Sequence, residues 1–177
     1  MESPKIFVTT YNAYNSGKQF VNGQYVDIDG SLTYDQFVEH CEQLVKESDP
    51  EFMCTDFEGF PRAWYSESGL PSESTYEMIV GYANSEDQEM VDAFLVVTSE
   101  NFTDWSDLEN KMNEQYIGQY ANKLAYADDL AEQLGYFDAM TKAGISLSYF
   151  DTERFLNDLE CGSEFAEENG YYFDLNR

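Results

Sequence analysis

Positive charge is what this chain has least of. Nine of its 177 residues are Lys or Arg against 35 Asp and Glu, for a formal net charge of −26. Between Ala63 and Asn110 there is no Lys or Arg at all. A surface with so little compensation repels nucleic acid and anionic membrane, so neither is an expected partner. Histidine is almost as scarce. The single His40 falls on the polar side of its helix, which argues for a solvated side chain and against Ser–His–Asp or Cys–His catalysis. No His/Cys spacing offers the three or four converging ligands of a zinc site. The three cysteines (Cys41, Cys54, Cys161) are odd in number and never form Cys-x-x-Cys. They read as reduced thiols rather than a disulfide framework. No apolar run approaches the roughly 20 residues of a membrane span. Met1–Lys5 lacks the start of a secretory signal, which makes a cytoplasmic location the expectation. In that setting the Asn101-Phe102-Thr103 sequon carries no meaning.

Nucleotide and metal motifs are missing too. Gly-x-Gly-x-x-Gly occurs nowhere. Ser16-Gly17-Lys18-Gln19 has Asn12 where a phosphate loop needs its first Gly, and Gln19 where it needs Ser or Thr. Asp27-Ile28-Asp29-Gly30-Ser31 hints at a calcium loop, but Gly30 stands at position 4 and Val38 at position 12. A strand end turning into a helix cap explains it better. No cofactor is expected.

What is present is a globular chain in an acidic coat. Hydrophobic residues make up 42% and aromatics 16%, too much for a disordered acidic tail. Residues 5–10 read as a first strand. Tyr14–Gly17 is turn chemistry, and Asn22-Gly23 between Phe20-Val21 and Tyr25-Val26 predicts a hairpin. Tyr34, Phe37, Val38, Cys41, Leu44 and Val45 form one helical stripe opened by a Thr33–Gln36 capping box. Residues 51–57 read as a return strand stopped by Gly59 and Pro61. Three helices follow. The first is capped by Ser72, with Tyr76, Ile79, Val80 and Ala83 inward. The second opens with a Ser85–Gln88 box, with Met90, Val91, Phe94 and Val97 inward. The third begins near Thr103, with Trp105, Leu108 and Met112 inward. On this reading Glu86, Asp87, Asp104 and Asp107 lie in first turns, where the helix dipole favours them. A helix over 122–134 follows (Leu124, Ala127, Leu130, Ala131 and Leu134 inward), ended by Gly135. A short helix then runs to Ala143, and 145–150 reads as extended. Asp151 or Thr152 caps a helix carrying Phe155, Leu156 and Leu159, and Tyr171–Leu175 closes as a strand. The fold class is α+β in three small modules: an α/β unit over 1–62, an acidic helical unit over 63–115, and an α/β unit over 116–177.

Asp56 and Glu58, two apart on a strand, share a face and could do acid/base work. With 35 acids in the chain, a solvated strand edge is the stronger reading. The distinctive chemistry is the array. Eleven acids occupy the base-free stretch: Glu67, Glu73, Glu77, Glu86, Asp87, Glu89, Asp92, Glu100, Asp104, Asp107 and Glu109. Asp128, Asp129 and Glu132 continue it on the next helix. Carboxylates at i, i+3 and i+4 lie about 5–6 Å apart, comparable to phosphates. A duplex carries one charge per about 1.7 Å, so the net charge of −26 equals about 44 Å of DNA. Such an array suits a protein built to hold DNA.

Ile6-Phe7-Val8, then Tyr14-Asn15-Ser16-Gly17-Lys18, then Tyr25-Val26-Asp27 resembles the opening of the ArdA antirestriction proteins. Asp56-Phe57-Glu58-Gly59-Phe60-Pro61 resembles that family's Asp-Tyr/Phe-Glu-x-x-Pro segment. Tyr149-Phe150-Asp151 before Phe155, and the closing Tyr171–Asp174, fit in order. The resemblance spans essentially the whole chain; in the middle helices it is one of pattern and acidity. It implies a protein of plasmids and conjugative elements: an elongated, curved DNA mimic that pairs into a homodimer through its C-terminal unit. It further implies occupation of the DNA groove of Type I restriction–modification enzymes, as a stoichiometric inhibitor and not an enzyme. The fourteen carboxylates above would then be the partner-binding residues. Three other readings fit the same acidity: an acidic inhibitor or chaperone of another basic DNA-binding protein, a carboxylate-dependent hydrolase, and a halophile's protein acidified for solubility.

Overall fold

The computed structural model describes residues 3–177, which form two compact units. One runs to Gln88 and takes in Asn101–Leu108; the other comprises Glu89–Glu100 and Glu109–Arg177. The expected middle helices are thus shared between them. The fold class is α+β, with strands at both ends of the chain and helices between.

In the first unit β1 (Lys5–Thr10) is the central strand of an antiparallel sheet, between β2 (Gln24–Asp27) and β3 (Phe52–Glu58). Alternation sends Ile6, Val8, Val26 and Cys54 inward. Helix α2 (Tyr34–Val45) covers that face with Phe37, Cys41 and Val45, all buried. Its capping box forms as expected: Gln36 N–H donates to Thr33 Oγ1 at 3.3 Å, and Thr33 N–H to Gln36 Oε1 at 3.0 Å. Gly59, at φ +76, ends β3. Helix α3 (Glu73–Ala83) starts at Ser72, whose hydroxyl accepts from Thr75 N–H at 3.2 Å. Tyr76 ties it to the sheet unit, its ring 4.9 Å from that of Phe37 and its hydroxyl donating to the Leu32 carbonyl at 2.8 Å.

The hairpin at Asn22-Gly23 does not form. Residues 11–15 make a short helix, α1 (Tyr11–Asn15), capped by Thr10, and Val21 and Asn22 N–H both return to the Lys18 carbonyl. Phe20-Val21 is therefore a turn, not a strand. Gly23 serves close approach instead: a Cβ there would sit 2.6 Å from the Gln19 carbonyl and 2.8 Å from that of Val8. The Asn-Gly hairpin of this protein is Asn169-Gly170, with φ +52 and +85, the two positive angles a type I′ turn requires.

That hairpin joins β5 (Ala166–Glu168) to β6 (Tyr171–Phe173), and β6 pairs on its other side with β4 (Tyr116–Gln119). Against this second sheet lie α6 (Lys123–Gln133) and α8 (Thr152–Gly162), with α7 (Tyr136–Lys142) beside α6. Tyr126, Ala127, Leu159 and Tyr172 form the core of this unit, flanked by Phe155, Leu156 and Phe165. Leu124 and Leu134 were expected inward but are 40% and 55% exposed. They lie at the two ends of α6, Leu134 as its C-cap, and Tyr126 takes the buried place. The run 145–150 is not extended. Ser146 Oγ accepts from Ser148 N–H, and Leu147–Tyr149 form a 3-10 turn. With no strand beside it, a local side-chain bond wins.

The thiols divide by burial. Cys41 and Cys54 are buried and Cys161 is exposed, all three free. Burial pushes Cys41 and Cys54 up to about 12. A disulfide reagent at neutral pH should therefore modify Cys161 alone in the native protein, and all three thiols in denaturant. Fast reaction of a second native thiol would contradict the packing of α2 on the sheet.

Candidate partner-binding surface

In the first unit the acids sit on helix starts and loops. Glu73, in the first turn of α3, and Glu77, one turn on, are both exposed on one face. Glu67 is an exposed loop residue whose backbone carbonyl accepts from Cys54 N–H at 3.1 Å. Glu86 and Asp87 lie in the turn after α3 rather than in a first turn. The next helix, α4 (Gln88–Thr98), begins two residues later than expected because the Gln88 side chain turns inward. Its amide donates to the Tyr82 carbonyl at 2.9 Å instead of closing a box with Ser85. Asp104 caps α5 (Trp105–Gln115), its Oδ1 accepting from Asp107 N–H at 3.0 Å. Asp104 and Asp107 are both exposed, at i and i+3.

The second unit holds the remaining seven. Glu89 and Asp92 are exposed at i and i+3 on the first turns of α4, and Glu109 is exposed on α5. Glu100 is partly neutralised: Lys111 Nζ reaches both its oxygens, at 2.7 and 2.6 Å. On α6, Glu132 is exposed and free of a structural task among the contacts described, whereas Asp128 Oδ1 accepts from the Thr152 hydroxyl at 2.7 Å. Asp129 is half-buried, its Oδ2 accepting from Tyr120 Oη and Gln133 Nε2, each at 2.7 Å. Burial, with the bond to Asp129 next in weight, pushes the Tyr120 hydroxyl up to about 12. Twelve of the fourteen acids are exposed, and only Asp87 and Asp129 are half-buried. The helices bring them together as pairs one turn apart: Glu73 with Glu77, Glu89 with Asp92, Asp104 with Asp107, and Asp128 or Asp129 with Glu132.

Helix ends add to the effect. Helices α2 through α6 and α8 carry no base in the last turn, and among these only α6 lacks an acid in the first. A row that attention to the base-free stretch passed over is Asp35, Glu39 and Glu42, at i, i+4 and i+7 on the exposed side of α2. Its signal was present in the same spacing rule. Where bases occur they are often used locally: Lys5 with Glu58 at 2.7 Å, Lys123 with Glu160 at 2.7 Å, Arg177 with Asp174 at 3.1 Å. Asp56 and Glu58 are likewise engaged. The Tyr25 hydroxyl donates to Asp56 Oδ2 at 2.6 Å and holds that carboxyl below its usual range; Lys5 does the same for Glu58. Among the described residues no group of three or more His, Cys, Asp or Glu could hold a metal ion. No helix there is long and apolar enough to cross a membrane.

The model of the antirestriction protein family ArdA matches residues 6–173. The chain belongs to the ArdA family. The match takes in strands of both sheets and every helix, so the ArdA assignment covers all fourteen of the expected partner-binding acids. A comparison with curated proteins finds no match. As an ArdA protein the chain has an antirestriction role and belongs to a family of inhibitors of restriction–modification.

Proposed function

We propose that this protein inhibits Type I restriction–modification enzymes by occupying their DNA-binding groove as a mimic of duplex DNA. The observation that carries the proposal is the exposure of carboxylate pairs one helical turn apart on helices whose ends carry no compensating base. Set against the Lys and Arg of a DNA channel, such pairs replace phosphates and release the ions held around them. The action is stoichiometric, without turnover, and takes place in the cytoplasm. The protein acts as a homodimer joined through the second unit. Exposed apolar side chains there, among them Leu134, Ile145, Leu147 and Tyr149, support that pairing.

The test is the plating of unmodified phage on a host that restricts by a Type I enzyme. With the protein present, plating should rise towards that on a non-restricting host. With purified components, cleavage should stop at a fixed molar ratio of inhibitor to enzyme, independent of incubation time. Unchanged plating, together with capture of a different basic DNA-binding protein, would favour the rival inhibitor reading. Inhibition that deepens with time would point to catalysis instead.

A further inference from the structure

The outer face of the first sheet carries a cleft that the acid helices do not use. Phe7 of β1 stands opposite Tyr25 of β2 and Asp56 of β3, so the three side chains form one row across the sheet. The Phe7 ring meets Tyr25 edge-on at 5.2 Å and Phe20 at 5.9 Å. Phe20 is 79% exposed and Tyr14 is 45% exposed, a large apolar area for two rings to leave to water. These four rings, with Asp56 and Glu67, line a cleft of about 490 Å³, within the range of roughly 300–1,000 Å³ typical of binding sites. No Lys or Arg lines it, and the nearby Lys5 Nζ, 5.1 Å from the centre of the Tyr25 ring, is paired with Glu58 at 2.7 Å.

We propose that this cleft receives an arginine side chain presented by a basic segment of a protein partner. Ring faces carry negative charge density and attract a cation, and a guanidinium also stacks on them while its N–H fork meets a carboxylate. The chain applies this rule to itself nearby: the Arg62 guanidinium lies 4.5 Å from the Tyr65 ring and 5.5 Å from that of Phe57. Charge complementarity selects the occupant, because a chain of net charge −26 draws basic segments and rejects nucleic acid and anionic lipid. The bond from Tyr25 to Asp56 fixes one carboxylate at the cleft, and Glu67 remains exposed beside it. The site is discrete, and it stands whether or not the acid helices imitate DNA.

The test uses the whole protein with ring-labelled Phe and Tyr, titrated in NMR at 150 mM salt. The probes are capped Gly-Arg-Gly and, at equal charge, capped Gly-Lys-Gly. Saturable shifts should concentrate on Phe7, Phe20 and Tyr25, and the arginine peptide should bind about fivefold more tightly than the lysine one. Phe20→Ala, at a position too exposed to endanger the fold, should weaken arginine binding about fivefold, and Glu67→Gln should weaken it as well. Equal affinities for the two peptides would overturn the proposal. So would binding indifferent to Phe20→Ala, since either result would mean that the peptides read only the diffuse charge.

Discussion

Reversing Glu73, Glu77, Glu89 and Asp92 together to lysine should abolish inhibition of a Type I enzyme, while neutralising any one of them should change it by less than about fivefold. An exposed ion pair is worth about 0.2–1 kcal/mol, so one lost contact costs at most about a fivefold change. Four reversals remove four attractions and install four repulsions against a basic groove, and like-charge juxtaposition there costs several kcal/mol. A loss of a thousandfold or more is the expected scale. All four residues are exposed and none is a cap, unlike Asp104. Their replacement also relieves self-repulsion, so the fold should survive. Binding by the unaltered protein should weaken steeply with salt. The duplex rule sets the upper bound, about 10³-fold between 50 and 200 mM for six phosphate equivalents. The control reverses the exposed Asp49, Glu51, Asp138 and Glu164. If that variant lost inhibition equally, net charge and not the paired helical acids would be the active quantity. A single Glu→Gln change that eliminated inhibition would point to a localised site.

Gly81→Ala should destabilise the first unit by about 1–3 kcal/mol, against the usual rule for helices. In an exposed helix the change would gain about 1 kcal/mol from propensity. Here the added Cβ would fall within the Trp105 indole, overlapping Cγ and Cδ2. Overpacking typically costs about 1–3 kcal/mol, and expelling a packed indole costs more, so the clash outweighs propensity. Trp64 and Trp105 are the two tryptophans of the chain and both belong to the first unit, so their fluorescence in urea reports that unit. The diagnostic is a change of sign. In a Trp105→Ala background the same Gly81→Ala change should stabilise, by up to about 1 kcal/mol. Destabilisation in both backgrounds would mean that the indole is not the obstacle. Because this contact seats the start of α5, which bears Asp104 and Asp107, on α3, which bears Glu73 and Glu77, the single variant should also weaken inhibition.

Much of the architecture was legible wherever local chemistry and periodicity agreed. The capping box of α2, the Ser72 cap, the Asp151 cap of α8 and the closing aromatic strand all stand where the sequence places them. What escaped depends on partners distant along the chain. Strands β4 and β5 have four and three residues, and they are defined only by pairing with β6. Asn22-Gly23 and Asn169-Gly170 are identical dipeptides. Only the second lies between segments able to pair, whereas the first follows a helical turn anchored at Lys18. The start of α4 shifted because one buried glutamine amide found the Tyr82 carbonyl. For the acids, exposure was readable from the opposite apolar stripe. The engagement of Glu100 by Lys111 and of Asp129 by Tyr120 was not, since each depends on how separate segments meet.

The bare helix ends have a consequence for every charge-removal experiment. A last turn without a base leaves carbonyl oxygens facing outward, and these amount to roughly half an electron per helix. That contribution belongs to the backbone, so neither acid nor side-chain replacement can erase it. A fully amidated variant, with each Asp and Glu exchanged for Asn or Gln, would carry a formal charge of +9 from its nine Lys and Arg and should be repelled by cationic surfaces, the half-charges at the helix ends being too small to reverse that.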